Sequence, residues 1–272
     1  MSTLVCLHAH PDDESIATGG TIARAVAEGH RVVLVVATDG RHGETPADLA
    51  EGESLVDRRR AETERSVAVL GVHALHWLGY HDSGMTGWAQ NDEIGAFVQA
   101  DIDEAAARLA DILVAEGADV LTCYDWHGGY GHPDHIQVHR VGHRAAELAR
   151  ERGCSGIRVF ESTMNRTRIA ALLKMNPEAG PESGRGPDDD WDPEGPADDG
   201  NPFGSTEDEI TMAVDVTAYV EAKRASIRCH ASQVSDSSFF LQMPPDMFAL
   251  AFGTEWFIEP GAKGGAQPGW FW

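Results

Sequence analysis

Positive charge is scarce in this 272-residue chain: 21 Lys and Arg face 44 Asp and Glu, for a formal net charge of −23 at pH 7. Protonating all 13 histidines would still leave −23 + 13 = −10, and the one basic cluster is the short run Arg58-Arg59-Arg60. Nucleic acid and anionic membranes are held by clustered Lys and Arg, so neither is expected as a partner. Cysteine is sparse too. Cys6, Cys123, Cys154 and Cys229 are far apart and form no CxxC pair, so buried, reduced thiols are expected. Long apolar runs are missing. The longest, residues 32–37, is far too short to cross a bilayer, and residues 1–10 lack the basic and apolar stretches of a leader, so the chain reads as cytoplasmic. No G-x-G-x-x-G follows the first apolar segment, which argues against a nucleotide-binding oxidoreductase. No internal repeat is evident.

What remains is globular: 42% of residues are hydrophobic and 24% charged, enough for one large domain or a domain with a lobe. Short β-branched or apolar segments at 4–7, 31–37, 74–78, 119–124 and 157–161 alternate with amphipathic stretches at 14–28, 55–70, 93–116 and 133–152. Parallel neighbours need crossover helices, so this alternation predicts a doubly wound, Rossmann-like α/β fold with a parallel sheet. The catalytic core is expected to span residues 1–175. Residues 176–204, rich in Pro, Gly and Asp, read as an acidic surface loop; they lack the alternating ligands and closing Glu of a calcium loop. A strand at 210–216, a helix at 218–230 and a strand near 256–258 predict a small C-terminal lobe, 205–272, packing on the core.

The chemistry concentrates in two loops. His8-Ala9-His10-Pro11-Asp12-Asp13-Glu14 follows the first strand, and Gly128-Gly129-Tyr130-Gly131-His132-Pro133-Asp134-His135 follows the fourth. Both therefore leave the carboxyl edge of the sheet, where open α/β folds bind ligands. His10, Asp13 and His135 suit a catalytic zinc, which takes three protein ligands and keeps one position for water; the same 2-His-1-carboxylate set also suits Fe(II). Asp12, adjacent but free of the ion, is the expected general base. His132 is placed to stabilise a developing oxyanion, with Asp134 fixing its tautomer and keeping it protonated, and Tyr130 adds a second donor. The flanking glycines suggest a loop that closes over substrate. His139 and His143, i and i+4 on the next helix, could bind metal on one helix face, but with no third ligand nearby they read as surface or packing residues.

His10-Pro11-Asp12-Asp13-Glu14 and His132-Pro133-Asp134-His135 resemble the paired signatures of the LmbE-like, or PIG-L, family of zinc-dependent N-deacetylases. The likeness covers most of the chain except the acidic insert and is closest to the mycothiol-pathway branch. It implies the same roles for His10, Asp13, His135, Asp12, His132 and Asp134, and removal of acetyl from an N-acetylglucosaminide conjugate. It further implies sugar contacts from Glu44, Arg59 and Asp82, whose carboxylates and guanidinium can grip vicinal hydroxyls. Three positions depart from that branch or divide it. Arg41 stands where an acidic residue is usual, and His127 where asparagine is usual; Gly131 favours the sugar deacetylases over the conjugate amidases, which carry proline. Amidase action on a thiol conjugate is the alternative within this chemistry, and a non-catalytic sugar-binding protein the alternative outside it. His230 can reach the cleft or pack at a helix end. The Trp-rich terminus (Trp256, Trp270, Trp272) either caps the core or forms a self-association surface, so a homo-oligomer is possible.

Overall fold

The computed structural model describes residues 1–175 and 192–272. The chain runs β1 (Thr3–His8), α1 (Asp13–Ala17), α2 (Gly19–Ala27), β2 (Arg31–Thr38), α3 (Leu55–Leu70) and β3 (Ala74–Tyr80). It continues through α4 (Ile102–Glu116), β4 (Val120–Tyr124), α5 (Pro133–Glu151), β5 (Arg158–Thr163), α6 (Arg166–Met175) and β6 (Met212–Asp215). Last come α7 (Val220–Cys229), α8 (Phe239–Gln242), α9 (Pro245–Phe252), β7 (Thr254–Ile258) and β8 (Gln267–Pro268).

These strands form one sheet in the order β3-β2-β1-β4-β5-β7-β6-β8. The first five are parallel. Central strands buried on both faces must be apolar throughout, and β1 is buried along its whole length. One face carries α4 and α5 over Val5, Leu7, Val33, Leu121 and Cys123. The other packs Leu4, Cys6, Leu34 and Phe160 against Ile22, Phe257 and Phe271. The C-terminal residues pack on the core through the sheet itself, because β7 pairs antiparallel with β5 and β6 with β7. The terminus caps the core: Phe271 is buried against Phe160 and Phe257, and Arg24 lies 4.0 Å over the Trp270 ring. No helix of the described residues is long and apolar enough to cross a membrane.

Two local expectations change. The helix expected over 14–28 is interrupted at Thr18, and α2 starts afresh because the buried Glu255 carboxylate accepts Gly20 N–H (2.9 Å) and Thr21 N–H (2.8 Å). A carboxylate there satisfies orphan amides and the positive helix end. The helix expected from 93 begins only at Ile102, where Asp101 accepts Glu104 N–H; residues before it instead bridge to His81 and bury Phe97. The acidic run Asp188-Asp189-Asp190 lies outside the described residues. Residues 192–204 lie at the surface and pack beside the carboxyl edge of β4: Asp198 N–H donates to the Tyr130 carbonyl, and Gly204 N–H to that of Gly129.

Candidate active site

Strands β1 and β4 are neighbours, yet the chain leaves them toward opposite edges of the sheet. That divergence opens a crevice between the two following loops. His10 and Asp13 descend from the β1 loop; His135 comes from the first turn of α5, which starts at Pro133 with His132 as its N-cap. His10 Nδ1, Asp13 Oδ2 and His135 Nε2 form a near-equilateral triangle with sides of 3.4, 3.4 and 3.3 Å. A tetrahedral ion with bonds of about 2.0–2.1 Å needs donors about 3.3–3.4 Å apart, so the triangle fits such a cation. Donor atoms of His10, His132 and His135 also lie within 4.8 Å of one another, as do those of His10, Asp82, His132 and Asp134. Asp82 and Asp134 fit a ligand set with the triangle less well, and His132 offers only Nε2. His132 Nδ1 already accepts Asp134 N–H (3.1 Å), and the Asp82 and Asp134 carboxylates face His10 Nε2, the nitrogen outside the triangle.

Supporting bonds fix both imidazoles. His10 Nε2–H donates to Asp134 Oδ2 (3.1 Å), and His135 Nδ1–H donates to the Gly128 carbonyl (3.1 Å), which turns the opposite nitrogen of each ring toward the triangle. Asp134 is itself held by Ser83, through its amide (2.8 Å) and its hydroxyl. Burial opposes charge at His10, but Asp82, Asp13 and Asp134 outweigh it and raise the imidazole well above its ordinary value. Burial likewise pushes Asp13 up, while His135 and His10 hold it well below the carboxylate range. Behind the site, Tyr124 stacks on His135 at 4.6 Å, and its hydroxyl lies 2.8 Å from His8 Nδ1. Burial pulls His8 down to about 4, so it acts as a neutral support.

Asp12 lies outside the triangle and is presented by a strained backbone, with φ 111°, a region L-residues rarely occupy. Arg59 holds that posture by donating to the Pro11 and Gly40 carbonyls and, at 3.2 Å, to Asp12 Oδ2. From the other side Glu14 accepts Asp12 N–H (3.0 Å) and is clamped by His230 Nε2 (2.7 Å) and Ser66. Burial raises the Asp12 carboxyl to about 6 against the pull of Arg59.

Several expected roles change. The Asp134 carboxylate faces His10, and it is the Asp134 backbone N–H that fixes the His132 tautomer, leaving the proton on Nε2. Burial, with His10 and His135 nearby, pulls His132 down to about 2, a direction that opposes the protonated form expected from the sequence. Tyr130 is half-buried with its ring 4.8 Å from that of His135, and burial raises its hydroxyl, keeping it a donor. The glycine loop is anchored rather than free. Asp125 accepts from His127 N–H and Gly129 N–H, and residues 192–204 bond its other edge. Gly128 is at φ 67°, and a methyl there would collide with His135 Cβ. Among the three expected sugar contacts, Glu44 is exposed on the rim, its backbone clasped by the Gln233 amide. Arg59 and Asp82 are buried supports of Asp12 and His10. Arg41 is paired with Asp39, and His127 is buried behind the loop against the Gly204 carbonyl. His230 packs at the helix end rather than in the cleft. Ser83, Asp125 and Gln233 were not singled out by the sequence; only the position of Asp125, one residue past β4, offered a signal.

Asp134→Asn keeps the shape but weakens the acceptor for His10. It is expected to lower metal affinity about 10–100-fold, measured by competition with a chromogenic chelator; unchanged affinity would remove Asp134 from this role.

A three-donor pocket beside the Arg59-paired carboxylate of Asp12, at the switch point of a doubly wound sheet, defines a protein whose His/Asp cluster can hold a metal ion. The chain belongs to the PIG-L family, described as GlcNAc-PI de-N-acetylase, whose profile matches residues 5–146. It is 37% identical to a 1D-myo-inositol 2-acetamido-2-deoxy-alpha-D-glucopyranoside deacetylase of Salinispora arenicola, over 98% of this chain and 88% of that one. A protein of the same name from Acidothermus cellulolyticus is 38% identical over 94% of this chain and 88% of its own length. Among solved structures, the N,N'-diacetylchitobiose deacetylase of Pyrococcus horikoshii is similar with a TM-score of 0.55 and 25% identity, covering 86% of this chain and 72% of that one.

Proposed function

We infer that this chain hydrolyses the acetamide of an N-acetylglucosaminide conjugate, releasing acetate and a free amine. The observation that carries the reading is the His10–Asp13–His135 triangle with Asp12 beside it and outside it. The names of the relatives support the substrate class. Zinc is the proposed ion, with Fe(II) compatible with the same donors; when bound it acidifies water to a pKa of about 7 and polarises the amide carbonyl.

The protein groups then divide the work. Asp12 accepts a proton as water oxygen bonds to the acyl carbon, and returns it to nitrogen as the C–N bond breaks. His132 Nε2–H and the Tyr130 hydroxyl donate to the acyl oxygen as it gains charge, a kind of contact worth about 2.7–4 kcal/mol per donor. Arg59 and Glu14 keep the base aligned, and Glu44 meets sugar hydroxyls at the rim. Gly131 supports deacetylase over amidase action. Its φ of 88° forbids proline, and Asp199 packs where a side chain would begin. A small-molecule sugar conjugate is the partner; the acidic surface disfavours nucleic acid and membranes.

Acetate release should be followed across a panel of N-acetylglucosaminides that includes the inositol conjugate. Turnover is expected to vanish with chelator and return with zinc or iron. Panel-wide inactivity of metal-loaded protein that still binds the sugars would favour the non-catalytic alternative.

A further inference from the structure

One turn beyond His135, α5 carries His139 and His143 on the face turned toward β5. The third donor missing from the sequence is supplied by Glu161 of β5. One donor atom from each of the three residues lies within 4.8 Å of the other two. Glu161 Oε1 is 2.7 Å from His143 Nε2 and 3.6 Å from His139 Nδ1, and the two rings are 4.5 Å apart. Glu161 lies on the sheet face covered by α5, where its neighbour in register is buried Cys123. A buried carboxylate ordinarily takes Lys or Arg; among the described residues Glu161 meets neither, only the two imidazoles. His139 Nδ1–H donates to the Tyr124 carbonyl (3.1 Å), so its lone pair is on Nε2, the ring nitrogen other than the one 3.6 Å from Glu161. Burial pulls His139 below the ordinary imidazole value, which favours the neutral form that binds metals.

We propose that His139, His143 and Glu161 form a second, auxiliary site for a zinc-type divalent cation. Both imidazoles are partly exposed, so solvent completes the coordination and the ion can enter without unfolding. Binding replaces the proton shared by His143 and Glu161 and widens their 2.7 Å contact to about 3.3 Å, a small rotation for a half-exposed ring. Such an ion would join α5 to β5. The same Tyr124 that bonds His139 stacks on His135, so the auxiliary ion would steady the helix that supplies the active-site ligand.

The test uses the full chain, stripped of metal and titrated with zinc, with bound metal counted after gel filtration and Co(II) absorption as a second readout. Wild type is expected to bind two equivalents. His143→Ala and Glu161→Gln should each lose one while keeping acetate release at one equivalent of zinc. His135→Ala should lose the other and keep the auxiliary one. Alanine is a good helix residue, so His143→Ala leaves α5 intact. A single equivalent in wild type under excess zinc, or two equivalents surviving in both His143→Ala and Glu161→Gln, overturns the proposal. Neither result would bear on the active centre, whose failure would instead appear as activity retained in His135→Ala.

Discussion

Asp12→Asn is expected to bind one active-site equivalent of metal normally and release acetate about 10²–10⁴ times more slowly, the span usual for losing a positioned general base. The amide is nearly isosteric, and its oxygen can still accept from Arg59. Asparagine also tolerates left-handed backbone better than most residues, so the φ of 111° survives the exchange. His135→Ala is the contrasting case. It removes one corner of the triangle and should abolish the active-site equivalent of metal and turnover together. Metal content by mass spectrometry and acetate release on the same preparations separate the two outcomes. Turnover near wild type in Asp12→Asn would end the base assignment, and full metal in His135→Ala would end the ligand assignment.

Lys223→Met should destabilise the protein by about 3–5 kcal/mol, because it strips the cation from a buried pair. Lys223 is only 1% exposed, and its Nζ lies 2.5 Å from Glu255 Oε1. Without it, Glu255 would be left with only the Gly20 and Thr21 amides as partners. The double variant Lys223→Met with Glu255→Gln leaves no uncompensated charge and should recover much of the loss. Urea titration at constant m checks this; a double variant no better than the single one would show that packing, not charge, holds α7 to α2.

The parallel half of the fold was legible because β1, β2 and β4 are short buried runs bounded by polar loops, and both loops bearing the triangle follow such runs. Their adjacency was legible only in part, as a property of doubly wound sheets. The break at Thr18 was hidden because its cause, Glu255, is 235 residues away from Gly20. The direction of the Asp134 carboxylate was hidden for a similar reason. The spacing in His132-Pro133-Asp134-His135 allows it to face either His132 or His10, and Ser83, 51 residues upstream, is among the groups that hold it toward His10. The docking of residues 192–204 was not legible in composition, because the segment meets the glycine loop largely through backbone amides, which no side-chain pattern reports. The acidic run within 188–191 stands outside the described residues.

The glycine loop is bonded along both edges, by Asp125 on one and by Asp198 and Gly204 on the other. The facing lip is held as well: Arg59 donates to the Gly40 carbonyl, His42 N–H to Asp82, and the Gln233 amide clasps the Glu44 backbone, so the mouth of the crevice is braced on both sides.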